Sequence, residues 1–181
     1  MRTIEQIEKE LRRKSWSDRY FALLSCKGRA DIPTDLIEQG LNDVEKYVRA
    51  AAMEACEGRA DIPLELLERG LNDSDLIVRR AAMSACDGRK DIPIEWVERG
   101  IHDGDSDTRY AAISACKGRD DVPLKLIYRG LIDECGCVRK EAIETCRGRT
   151  DIAPEVIESW LKDYNGRLRY AALKLLEKTS P

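Results

Sequence analysis

The chain has 181 residues, and its 31 Lys and Arg against 34 Asp and Glu leave a net charge of −3. A balance this near neutral argues against a globally basic nucleic-acid binder or a polybasic membrane-surface protein. Hydrophobic residues at 43% suffice for a continuous core, and charged residues at 36% suffice to solvate a long surface. No run of about 18 apolar residues predicts a membrane span. The first stretch, MRTIEQIEKELRRK, lacks the apolar centre of a signal peptide, so a cytoplasmic location is expected.

The dominant feature is a repeat of thirty residues. Leu41–Gly70 laid over Leu71–Gly100 matches at 19 of 30 positions without a gap. GRADIP stands at 28–33 and 58–63, and returns as GRKDIP at 88–93, GRDDVP at 118–123 and GRTDIA at 148–153. A period of this length is the signature of stacked supersecondary units, each too small to bury its own apolar face. The prediction is an all-α fold, a right-handed superhelix or solenoid of six 30-residue helical-hairpin repeats. It forms one domain over 1–181: an N-terminal unit and cap at 1–40, four regular repeats at 41–160 and a C-terminal half-repeat at 161–181.

In chain order, Thr3 to about Lys14 reads as a first helix with Thr3 and Gln6 as a capping box, and Ile4, Ile7 and Leu11 on one face. Helices of this first type are expected to start near Ile4, Ile32, Ile62, Ile92, Val122 and Ala153, with Asp near the N-cap and Pro in the first turn. In the third unit such a helix should bury Ile94, Trp96, Val97 and Ile101, with Gly100 on the inner side as a site of close approach. Helices of the second type are expected near Ser17, Glu45, Asp75, Asp105, Cys135 and Asn165. At 100° per residue Val78, Ala82, Ala85 and Cys86 share a face, and Gly88 is the expected left-handed stop. The last helix, with Leu168, Ala172, Leu173, Leu175 and Leu176, reads as an end cap whose outer face is not clearly polar.

Two arginine ladders recur. Arg19, Arg49, Arg79, Arg109, Arg139 and Arg169 hold one repeat position, and Asp43, Asp73, Asp103, Asp133 and Asp163 stand six residues before five of them. At the edge of a buried face such an Arg needs a carboxylate, from the same or the adjacent unit. The second ladder is Arg29, Arg59, Arg89, Arg119 and Arg149, each two residues before an Asp. A row of guanidinium groups suits phosphate, but the fixed Asp spacing points to closure of the loop on itself. Cys26, Cys56, Cys86, Cys116 and Cys146 also share one position. Helices stacked roughly 8–10 Å apart exceed the roughly 7 Å Cα limit of a disulfide, so these read as buried thiols in a reducing compartment.

Asn72, Asp73, Ser74 and Asp75, with Val78-Arg79, Ala81-Ala82 and Ala85, resemble the HEAT-like repeats of the phycobilin-lyase type over nearly the whole chain. The resemblance implies a motif that marks fold rather than activity, with an internal Asp–Arg ladder. The stereotyped G-R-x-D-I-P connection is also similar to leucine-rich variant repeats, which leaves open whether the first-type helix is fully α-helical.

Catalytic and metal chemistry find no constellation. The single His102 lies in a turn, and Cys135-Gly136-Cys137 is a weak soft-metal signal, so no catalytic residue, metal or cofactor is assigned. The second-type helices leave a set of varying positions outside the core, such as Tyr47, Ala50, Glu54 and Glu57 in one unit. By resemblance this layer lines the concave side, and Tyr20, Tyr47, Arg80, Tyr110, Lys140 and Tyr170 form the candidate binding face. Tyr and Arg are frequent anchors of protein contacts. The expected function is a non-catalytic scaffold, monomeric, that binds a peptide or helix of a partner protein. The alternatives are a nucleic-acid-binding HEAT-like module, as in alkylpurine DNA glycosylases, and a phycobilin-lyase-like protein that handles a chromophore. The positive charge gathered near Lys140, Arg147, Arg167 and Lys174 is thin for nucleic acid.

Overall fold

The computed structural model describes residues 2–147, 149 and 151–177; Gly148 and Thr150 of the fifth connection lie outside them. Among the described residues there are twelve α-helices and no strand. The first helices are α1 (Ile4–Leu11), α3 (Thr34–Leu41), α5 (Leu64–Leu71), α7 (Ile94–Ile101), α9 (Leu124–Leu131) and α11 (Pro154–Leu161). The second helices are α2 (Trp16–Leu24), α4 (Lys46–Glu54), α6 (Leu76–Ala85), α8 (Ser106–Ser114), α10 (Gly136–Arg147) and α12 (Gly166–Leu176). By its internal contacts the chain divides into two units, Met1–Ile92 and Pro93–Pro181.

The first helices are α-helical, each eight residues long. That is shorter than the roughly 12–15 residues an isolated helix needs in water, so packing and not propensity holds them. The capping box of Thr3 and Gln6 is present. Four of the others start two residues later than the sequence suggests. Pro33, Pro63, Pro93 and Pro123 are the N-caps themselves, with ψ near 139°. The residue before a proline is pushed out of the α region, so the preceding Ile or Val cannot open the helix. Ile32, Ile62, Ile92 and Val122 are nevertheless buried. They stand at the N′ position, just before the N-cap, where a buried apolar residue anchors the entry of the chain. Only Pro154 takes the first helical position. Gly28, Gly58, Gly88 and Gly118 have φ between 65° and 74°, the left-handed conformation that closes the turn after α2, α4, α6 and α8.

Within each unit the second helices pack on one another and the first helices cover one side of them. Leu23, Ile37, Val48, Met53, Leu67 and Val78 are buried in the first unit, as are Val97, Ile113, Ile127, Val138 and Leu168 in the second. Ile94 and Trp96, expected in the core, are only half-buried, because the eight-residue helix turns one narrow face inward. A Cβ built on Gly70 would lie 2.8 Å from that of Ala82, and one on Gly130 would lie 2.9 Å from that of Ala142. The glycine is therefore what lets a first helix rest directly on the next second helix.

The ladder arginines join these layers. Arg49 donates from Nε and Nη2 to the Asp73 carboxylate at 2.7 and 3.0 Å, and from Nη1 to the carbonyls of Asp43 and Val44, both at 3.1 Å. Arg19 holds Asp43 at 2.5 and 2.9 Å, and Arg109 holds Asp133 at 2.8 and 3.0 Å. The carboxylate thus comes from the next unit's turn, 24 residues on, while the preceding turn supplies carbonyl oxygens. Each Asp also caps its own turn, as Asp73 Oδ1 accepts from the Asp75 N–H at 2.9 Å. Burial alone would raise the Asp73 pKa. The bonds from Arg49 and the Asp75 N–H outweigh it and hold the carboxyl below its ordinary range, and the same holds for Asp43 and Asp133 with their own partners.

Two outcomes follow. Gly70→Ala should lower stability by about 2 kcal/mol in denaturant unfolding, because overpacking against a rigid neighbour exceeds the helix-propensity gain. Gly104→Ala, with open space around the site, should be neutral. A folded pKa below the unfolded one gives stability that is complete above about pH 4 and disappears as pH falls through the lower folded value. Unfolding midpoints should therefore drop with acid below about pH 4. Asp73→Asn should cost about 3 kcal/mol at neutral pH and show a shallower acid dependence.

Candidate binding surface

The exposed faces of the second helices carry the molecule's large solvent-facing apolar groups. Trp16, Phe21, Tyr47, Leu76, Tyr110, Tyr170, Leu173 and Leu176 stand on these helices, and Val44 and Tyr164 on the turns that lead into them. No exposed large hydrophobic lies on a first helix among the described residues. The difference has a local cause. First helices present Asp, Glu, Gln, Lys and Arg at their outer positions, whereas second helices alternate an Ala-rich inner face with variable outer positions.

In the first unit, Tyr20 and Arg80 are half-buried and Tyr47 is exposed. Ala50, expected on the outer face, is buried, since the neighbouring second helices cover the flank on which it stands. Trp16 and Phe21 join these tyrosines in a cluster that sequence periodicity did not single out. The Trp16 ring centroid lies 5.7 Å from Tyr47 and 6.4 Å from Tyr20, and Tyr20 meets Phe21 edge-on at 5.1 Å. Trp16 is the first residue of α2, one place before the predicted start, which is why the helical wheel left it out.

In the second unit Tyr110, Lys140 and Tyr170 are exposed. Lys140 and Tyr170 come together across a cleft of about 600 Å³ between α10 and α12. Gly136, Arg139, Lys140, Ile143, Glu144 and Arg147 form its α10 wall, and Tyr170 and Lys174 its α12 wall. Arg147 crosses the gap, donating from Nη2 to the Lys174 carbonyl at 2.8 Å, and is paired with Glu144 through Nη1. Lys174 bonds Glu177 at 2.6 and 2.9 Å, which raises its pKa, and lies 5.6 Å from the Tyr170 ring centroid. Arg139 donates from Nη1 to the Asp133 and Glu134 carbonyls at 2.8 and 2.9 Å. Among the described residues its Nε and Nη2 hold no carboxylate, where Arg109 holds Asp133.

The second arginine ladder offers no comparable edge. Arg59, Arg89, Arg119 and Arg149 are buried, and each is bidentate with the Asp two residues on, as in Arg89 to Asp91 at 3.0 and 2.6 Å. Arg29 does the same with Asp31. In Arg89 and Arg149 Nη1 also reaches back to the previous connection, to the Ile62 carbonyl at 2.8 Å and that of Val122 at 2.8 Å.

His102 is exposed, with Nδ1 2.8 Å from the Glu98 carbonyl. No three His, Cys, Asp or Glu side chains converge as a metal site among the described residues, and no helix there is long and apolar enough to cross a membrane. All seven cysteines are free. Burial pushes the thiols of Cys56, Cys116 and Cys146 up to about 12. Cys135 is different: the backbone N–H groups of Val138 and Cys137 at the start of α10 stabilise its thiolate and lower its pKa. Iodoacetamide should thus modify Cys135 and Cys137 in the native protein, Cys135 with a midpoint pH below that of a free cysteine peptide. The five buried cysteines should react only after denaturation, as read by peptide mass spectrometry.

Two solved structures are similar along their whole length. An engineered protein aligns over 98% of this chain and 96% of its own, with a TM-score of 0.59 and 17% identity. A designed armadillo repeat protein aligns over 97% and 99%, with a TM-score of 0.53 and 16% identity. At such identities the likeness shows the fold alone, a solenoid of helical repeats. No family model and no curated protein matches the chain, so the likeness to HEAT-like repeats of the phycobilin-lyase type rests on the repeat motif itself.

Proposed function

We propose that the chain is a non-catalytic scaffold that binds a peptide or helix of a partner protein on the faces formed by its second helices. The observation that carries this reading is the segregation of exposed large hydrophobics onto those helices and their leading turns, with none on the first helices among the described residues. A solvated surface with no function has no reason to sort its aromatic groups by helix type, and contiguous exposed apolar groups mark interaction sites. The carriers are rigid, because the second helices are fixed by buried apolar side chains, such as Val48, Ala51 and Cys56, and by ladder arginines such as Arg49 and Arg109. Rigid aromatic anchors lose little entropy on binding. The contact residues proposed are Tyr20, Tyr47 and Arg80 in the first unit, and Tyr110, Lys140 and Tyr170 in the second.

The double variant Tyr110→Ala with Tyr170→Ala tests this. Both rings are about half in water, at 40% and 55% exposure, so unfolding free energy should change by no more than about 0.5 kcal/mol. Affinity capture from the source cells should yield a specific protein with the wild type and lose it with the variant. A captured protein that survives the substitution, or a variant that fails to fold, would remove these residues from the proposed face.

A further inference from the structure

The cleft between α10 and α12 has a more specific character than the rest of this surface. Arg139, Lys140, Arg147 and Lys174 bring four cations to its walls, against the single carboxylate of Glu144, which is already spent on Arg147. Two of those cations are not committed to an acid. Lys140 is exposed and in no ion pair among the described residues, and the Nε and Nη2 groups of Arg139 lack the carboxylate that Arg109 holds in the preceding repeat. Gly136 puts no side chain beside that guanidinium, where a Cβ would be in ordinary contact with Arg139 Nη2 at 3.5 Å. Between the cations the cleft is apolar, with Ile143 on one wall and the Tyr170 ring on the other. Its volume, about 600 Å³, suits one or two side chains and not an extended duplex.

We infer that this cleft takes an acidic residue of a peptide together with an adjoining apolar side chain. The carboxylate meets the open edge of Arg139 and the Lys140 ammonium, a geometry in which Arg gives paired, charge-assisted hydrogen bonds. The apolar neighbour packs between Ile143 and Tyr170. The inference deepens the scaffold reading and rests on it. Acidic peptide is favoured over nucleic acid because the cationic set is short and closed at one end by the Arg147 bridge to the Lys174 carbonyl, whereas a phosphate backbone needs a longer track.

A phage-displayed library of random 12-residue peptides separates the outcomes. Wild-type protein should enrich peptides with Asp or Glu beside a Leu, Phe, Tyr or Trp. A synthetic copy of the strongest should shift the amide resonances of Gly136, Lys140 and Tyr170. Lys140→Glu combined with Lys174→Glu, two surface changes whose folding is checked by thermal unfolding, should weaken that peptide at least about tenfold. Replacing its acidic residue with Asn or Gln should do the same. Enriched peptides without acid, or ones indifferent to charge reversal, would overturn the cleft proposal while leaving the scaffold reading in place. Enrichment of no peptide at all would overturn both. Tighter binding of a 12-nucleotide thymidine strand than of any peptide, lost on the same reversal, would replace the peptide with a nucleic acid.

Discussion

At Arg19, Arg49 and Arg109 one guanidinium holds three pieces of chain that would otherwise have no fixed relation. Arg49 donates from one edge to the Asp73 carboxylate of the next turn, and from its other nitrogen to two carbonyls of the preceding turn. A helical hairpin of thirty residues cannot bury its apolar face alone, and a repeat array is stable only through contacts between neighbours. Hydrophobic packing supplies most of that contact free energy but is weakly directional. The Arg–Asp bond supplies direction. It fixes how far each turn lies along the next helix, and the Asp can serve only because its other role, capping the Glu45 or Asp75 N–H, has already shaped the turn. Gly40, Gly70 and Gly130 then permit the distance that the ladder demands.

The period, the pairing of helices and the glycine stops were legible because they are properties of spacing, and spacing survives in sequence. The start of the first helices was not, and the reason is local. Pro93 could serve as N-cap or as first helical residue; the wheel cannot choose, but the steric effect of proline on Ile92 can. The same rule was readable in every D-I-P connection. The half-burial of Ile94 and Trp96 has another origin, since a helix of two turns has only one face to give, and Val97, Gly100 and Ile101 take it.

The surface was legible in part, for a reason that lies between helices. A wheel drawn on one helix assigns exposure as if nothing stood beside it. Tyr47 and Ala50 share a flank on that wheel, yet Tyr47 reaches into water and Ala50 is covered, because the smaller side chain ends below the shoulder of its neighbours. Trp16 was missed by a one-residue error in a helix boundary, and with it went the contact that links α2 to α4 through Tyr47. The cleft between α10 and α12 was foreshadowed only as a gathering of positive charge. Its walls depend on where Arg147 spends its hydrogen bonds, and that is decided by a carbonyl 27 residues away.

Departures from the repeat are more informative than the repeat, above all where they place polar groups in the core, as on α10. Ala51, Ala81, Ala111 and Ala171 fill a buried position that on α10 is Glu141, whose carboxylate lies 2.5 Å from Lys117 Nζ. Ala55, Ala85 and Ala115 correspond there to Thr145, whose hydroxyl must reach the Ile113 carbonyl at 3.3 Å. Burying a carboxylate and a hydroxyl costs free energy that alanine does not. The first repeat carries Phe21 and Ser25 at these two positions and the last carries Ala171 and Leu175, so alanine is the rule of the middle repeats. The same helix opens with Gly136 and a lowered Cys135 thiol, and carries the one second-unit ladder Arg, followed by a further repeat, that holds no carboxylate among the described residues. Glu141 and Thr145 bond back to Lys117 and Ile113 of the preceding repeat, while Gly136 and Arg139 line the cleft toward α12, so the departures on α10 serve both of its flanks.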